Sequence, residues 1–141
     1  MARGRDTPTN KRRRPPRFVA KKKKLTPPSF SSPTQIHGPE ELDAILSAYP
    51  ERLVVLQCKA SSCRPCKMFA RKYGRLAAAT PDAVFLVITG DESAETRAMM
   101  MAMKVRVTPT FFVYRGGEIV KTATGVNENN LKAALDEAAA A

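Results

Sequence analysis

The stretch Leu53 to Lys59 reads Leu-Val-Val-Leu-Gln-Cys-Lys, a nearly continuous apolar run. Such a run marks a strand buried on both faces of a sheet, and a sheet covered on both faces needs helices above and below it. A second run of the same kind, Ala83 to Thr89, repeats the demand. Helical patterns lie where they are needed. Pro39 starts one, followed by Glu40, Glu41, Leu42, Ile45 and Leu46, and Pro50 stops it. From Cys63 to about Ala79 the residues Cys66, Phe69, Ala70, Tyr73, Leu76 and Ala77 recur at helical spacing, with Lys67, Arg71, Lys72 and Arg75 on the other side. Glu92 to Met103 reads as a third helix. Its Met99, Met100, Met101 and Met103 cannot all share one helical face, which favours partial core packing over a methionine-lined binding face.

Gln35 to His37 reads as a short leading strand. Thr110 to Tyr114, a Gly116-Gly117 turn and Glu118 to Thr122 read as a β-hairpin, and Asn127 to Ala139 as a closing helix. The order β-α-β-α-β-α-β-β-α predicts an α/β fold with a mixed five-stranded sheet, parallel in the middle, and helices on both faces.

The chemistry concentrates at Cys63-Arg64-Pro65-Cys66, where the first buried strand hands over to a helix. At a helix N-terminus, unpaired N–H groups and the macrodipole favour a thiolate, and the thiolate is the nucleophile. Cys63 is the expected attacker, and Cys66, one turn further in, the resolving thiol that completes an exchange cycle. Arg64 adds a fixed positive charge beside Cys63 and tunes its pKa downward, while Pro65 starts the helix without wasting a hydrogen bond. Zinc wants four ligands; Cys58 lies along the buried strand and His37 is the only histidine, so no second ligand pair is apparent. Cys58 reads as a small core hydrophobe. No metal and no organic cofactor is implied.

The 141 residues carry a formal charge of +11, and its location matters more than its size. Residues 1 to 34 hold eleven Lys and Arg, including Lys11 to Arg14 and Lys21 to Lys24, against the single acid Asp6; the remainder holds 13 basic and 12 acidic residues. With Pro8, Pro15, Pro16, Pro27, Pro28 and Pro33 and few apolar side chains, this segment reads as a disordered basic tail, and residues 35 to 141 as the domain. The tail fits an organelle transit peptide, a two-part nuclear localisation signal or a phosphate-binding arm. No apolar run spans a membrane, and no apolar core of a secretory signal opens the chain.

The segment Ala60-Ser61-Ser62-Cys63-Arg64-Pro65-Cys66-Lys67-Met68 resembles the active-site segment of the thioredoxin family. The similarity runs from about Gln35 to Ala139 and takes in Thr108-Pro109-Thr110, Gly116-Gly117-Glu118 and Gly125. The resemblance implies the thioredoxin fold, a cis proline at Pro109 lying against the disulfide, and a substrate strand pairing with the backbone of Thr108. It also exposes departures. Ser62 stands where the family usually has Trp, Gln57 where it has a buried Asp that assists proton transfer, Val87 where a Lys usually lies near that Asp, and Arg71 where a Pro kinks the helix. Without the carboxylate, substrate release is expected to be slower near neutral pH.

The expected activity is dithiol–disulfide exchange with a protein partner, fed by an upstream reductant. The expected Cys63 pKa lies below about 7, with a potential less reducing than about −270 mV. The departures resemble divergent thioredoxin-like proteins of plants and algae, which favours the plastid over the nucleus or cytoplasm. A monomer is expected, and the tail is the one part of the chain that could take nucleic acid. The alternative is an interaction or assembly module that keeps the fold as a docking surface.

Overall fold

The computed structural model describes residues 28–140. The elements run β1 (Thr34–Ile36), α1 (Pro39–Ala48), β2 (Val54–Lys59), α2 (Arg64–Ala79), β3 (Val84–Thr89), α3 (Ala94–Ala102), β4 (Thr110–Arg115), β5 (Glu118–Thr124) and α4 (Glu128–Ala140). They form one sheet in the order β1-β3-β2-β4-β5. β1, β3 and β2 are parallel, while β4 runs antiparallel to β2 and β5 antiparallel to β4.

Alternation along the central strands sorts side chains into two cores. Val55 and Phe85 with Phe111 and Val113 pack against Phe69, Tyr73 and Leu76 of α2 and against Leu131 and Leu135 of α4. Val54, Leu56, Cys58, Leu86 and Phe112 face the other way, against Leu42 and Ile45 of α1 and Met99 of α3. Met100 and Met103 pack beside that second core, whereas Met101 is exposed, so the methionines divide between core and solvent as helical geometry requires.

Gly116 and Gly117 both adopt positive φ, 62° and 84°, the backbone a two-residue hairpin turn requires. Residues within the segment read above as a tail take part in the packing. Phe30 packs edge-on against Tyr49 at 5.5 Å, Arg52 lies over its ring at 4.5 Å, and Thr34 already pairs with Leu86. The basic clusters at Lys11 to Arg14 and Lys21 to Lys24 lie outside the described residues.

Candidate active site

β2 is the middle strand of the sheet, and its C-terminal end delivers the chain to the cysteines. Cys63 is the N-cap of α2 with an extended backbone; its Sγ accepts a hydrogen bond from the Cys66 backbone N–H at 3.1 Å. Pro65 occupies the first turn, where no N–H is needed. Cys63 and Cys66 are joined as a disulfide with S–S 2.20 Å and Cα–Cα 5.3 Å. Both cysteines are buried, Cys66 at 2% exposure more completely than Cys63 at 8%.

The loop before Cys63 is tied down from a distance. Asp91 accepts hydrogen bonds from the Ser61 backbone N–H at 2.9 Å and from the Ser61 hydroxyl at 2.6 Å. The Ser61 hydroxyl, and after it the Ser61 amide, holds the Asp91 carboxyl below the usual carboxylate range. Cys63 N–H donates to Ala60 O within its own loop, and Gly90 N–H donates to Lys59 O, joining the two loops. No sequence pattern marks Asp91, which sits among loop residues between β3 and α3.

The peptide bond Thr108–Pro109 is cis, as the resemblance implies. Pro109 is buried and Thr108 half-buried. Cys58 near the end of β2 pairs with Thr110 at the start of β4, so the bend at Pro109 lies at the same end of the sheet as the cysteines. Gly125 N–H donates to Pro109 O at 2.9 Å and joins β5 to that end. Arg64 is exposed at the start of α2.

Gln57 is 3% exposed, on the face of β2 that looks toward α2, and its Nε2 has no hydrogen-bond partner. Its register neighbours are Val87 and Phe111, and Phe111 stacks edge-on with Phe69 at 5.5 Å, one turn along α2 from Cys66. A buried donor amide therefore stands where the resemblance puts a proton-accepting carboxylate, and Val87 beside it supplies no charge. Arg71 leaves α2 unbroken from Arg64 to Ala79. Cys58 is fully buried on the opposite face, and burial pushes its thiol up to about 12. Among the described residues no group of three or more His, Cys, Asp and Glu is placed to hold a metal ion, and no helix is long and apolar enough to cross a membrane.

A central mixed sheet, helices on both faces and paired sulfurs at a helix start, at the same end of the sheet as a cis proline, define a thioredoxin-fold protein. The family model described as Thioredoxin matches residues 33–137, and the chain belongs to the thioredoxin family. Thioredoxin F-type, chloroplastic, of Brassica napus is 36% identical over 97 residues, covering 69% of this chain and 52% of that protein. The chain thus spans about half the length of the curated relatives it matches. A redox protein from Chlamydomonas reinhardtii superposes with a TM-score of 0.77 at 35% identity, over 81% of this chain and 37% of that one. Thioredoxin f2, in the crystal structure of its complex with ferredoxin:thioredoxin reductase, superposes with a TM-score of 0.72 at 27% identity, over 78% of this chain and 97% of that one.

Proposed function

We propose that this chain is a dithiol–disulfide oxidoreductase acting on a protein partner. In the reduced protein the Cys63 thiolate attacks one sulfur of a substrate disulfide, forming a mixed disulfide and releasing the first substrate thiolate. Cys66 then gives up its proton and attacks Cys63 Sγ, which expels the second substrate thiolate and leaves the Cys63–Cys66 disulfide. Two electrons pass to the substrate. The single observation that carries this reading is the bonded pair at the N-terminus of α2, in which Cys63 is the less deeply buried of the two. Arg64 stabilises the Cys63 thiolate, and Pro109 with Thr108 positions the visiting strand.

The cycle restarts when an upstream protein dithiol reduces the disulfide. The complex of thioredoxin f2 with ferredoxin:thioredoxin reductase supports an upstream partner of that kind, and the chloroplastic relatives support the plastid as the compartment. The basic leading segment then serves as an address, and the domain from about residue 35 does the chemistry.

Reduction of insulin by dithiothreitol tests the activity. The wild type accelerates precipitation of the insulin chains, Cys63→Ser does not, and Cys66→Ser accumulates mixed disulfides that persist until excess thiol is added. Equal rates with wild type and Cys63→Ser would leave only a docking scaffold.

A further inference from the structure

The methionines at the end of α3 are not equivalent. Met99 is buried, Met100 and Met103 are half-buried, and Met101 is 79% exposed. Side chains of a helix lean toward its N-terminus, and Met100 leans back onto Gly90 in the loop that precedes α3. A Cβ on residue 90 would lie 2.6 Å from Met100 Cγ and 3.1 Å from its Sδ, so the thioether fills the space that glycine leaves open.

Gly90 joins three segments. Its N–H donates to Lys59 O at 2.7 Å, and its carbonyl accepts from Thr96 Oγ1 at 3.0 Å, which ties it to the end of β2 and to the first turn of α3. The next residue is Asp91, whose carboxylate holds the Ser61 amide and hydroxyl two residues before Cys63. Met100 therefore packs on the backbone that carries the Asp91–Ser61 contact, and it brings to that place a side chain that oxidants can change.

We propose that Met100 is a peroxide-responsive modification site, whose conversion to the sulfoxide loosens the hold of Asp91 on Ser61 and slows disulfide exchange at Cys63. The effect on disulfide exchange rests on the oxidoreductase reading; the loosening of the loop does not. In the step itself the Met100 sulfur lone pair attacks one oxygen of hydrogen peroxide, so that an S–O bond forms as the O–O bond breaks. The departing hydroxide takes the proton of the new S–OH group and leaves as water. Sulfur loses two electrons and the peroxide gains them.

The flexible apolar side chain becomes a polar one bearing a hydrogen-bond acceptor. Seated against Gly90, the sulfoxide oxygen meets Lys59 O, another acceptor. It either takes the Gly90 N–H from Lys59 or leaves its seat for water, which a half-buried side chain can reach. Each outcome removes a contact that fixes the Gly90 and Asp91 backbone. Met101 projects into solvent, so its oxidation disturbs no packing of this kind.

The test treats the full chain with hydrogen peroxide in its disulfide form, which shields Cys63 and Cys66. Peptide mass spectrometry locates each sulfoxide, amide hydrogen exchange follows Ser61, and insulin reduction is measured after dithiothreitol has restored the thiols. As Met100 of the wild type is oxidised, the Ser61 amide exchanges faster and insulin reduction slows roughly three- to tenfold, short of the roughly hundredfold that a full ångström of misplacement brings. Methionine sulfoxide reductase reverses both effects. Met100→Leu keeps the volume without the reactive thioether, and holds its rate and its Ser61 protection through the same treatment. Met101→Leu and Met68→Leu respond as the wild type does, and Met100→Gln shows the faster Ser61 exchange without peroxide. The proposal is overturned if Met100→Leu loses as much as the wild type, if Met68→Leu protects in its place, or if Ser61 keeps its protection beside an oxidised Met100. It is equally overturned if Met100 stays reduced once Met101 is fully converted. An untreated wild type inactive on insulin would end the oxidoreductase reading, and Ser61 exchange would then decide the modification site by itself.

Discussion

Asp91 grips Ser61 with both carboxylate oxygens, Oδ1 on the amide at 2.9 Å and Oδ2 on the hydroxyl at 2.6 Å. The clamp bridges the loop that follows β3 and the loop that presents Cys63. Asp91→Ala is expected to expose the Ser61 amide to faster hydrogen exchange and to slow insulin reduction by roughly three- to tenfold, short of the roughly hundredfold that a full ångström of misplacement brings. Because hydrogen bonds from Ser61 hold the carboxyl below its ordinary value of 3.8, the clamp is present above that pH and is lost as pH falls through the depressed value. Protection of the Ser61 amide in the wild type should therefore persist at pH 3.8. Loss of protection already at that pH would contradict the assignment.

Gln57 buries an amide donor without an acceptor. Gln57→Leu removes that unmet desolvation and is expected to stabilise the protein by about 1–3 kcal/mol in urea unfolding. Gln57→Asp should act in the opposite sense on stability, since a buried carboxylate is desolvated, while restoring a proton acceptor on the α2 side of the sheet. Resolution of the mixed disulfide then gains a rise with pH that the wild type lacks, visible in stopped-flow reduction across the neutral range.

Cys58 carries a pH signature of its own. Its thiol ionises near 9.0 in the unfolded chain, but burial pushes it up to about 12 in the fold. A raised folded pKa contributes stability in full below the unfolded value and loses it as pH rises between the two, here by on the order of 4 kcal/mol at most. Tyr73, held up by burial, adds to the same alkaline loss. Cys58→Ala should flatten the fall in urea midpoint above pH 9.0 without abolishing it, and an unchanged slope would show that this thiol titrates normally.

Arg64 is exposed, so its effect on Cys63 is that of a screened charge. Ultraviolet thiolate titration of the reduced protein should place Cys63 below about 7. Arg64→Gln should raise that value by roughly half a unit at low salt and by less at high salt, because solvent weakens an exposed pair. A Cys63 pKa unchanged by the substitution would leave the helix N-terminus as the source of the shift.

Much of the architecture could be read from local pattern. Leu53 to Lys59 and Ala83 to Thr89 match β2 and β3 to within one residue, because a strand covered on both faces has no polar position to blur it. The edge strand was less readable. β5 reaches Thr124 rather than Thr122, since its side chains are mostly exposed and its end is set by pairing with Thr110, a partner outside its own segment. α3 starts at Ala94 rather than Glu92 because Ser93 and Thr96 close a capping box that ends the loop there. Phe30, set among prolines and charges, has no local signature of packing, since that packing depends on Tyr49 and Arg52 being brought beneath it.

Periodicity and spacing alone settle the order of the elements and place the two thiols at a helix start, because both are properties of residues a few positions apart. What Asp91 does for Ser61, how Pro109 comes to the cysteine end of the sheet, and the isolation of the Gln57 amide all follow from strands meeting across thirty to fifty residues of chain. Those relationships have no local signature. They exist only once the sheet has set its register and closed its two faces.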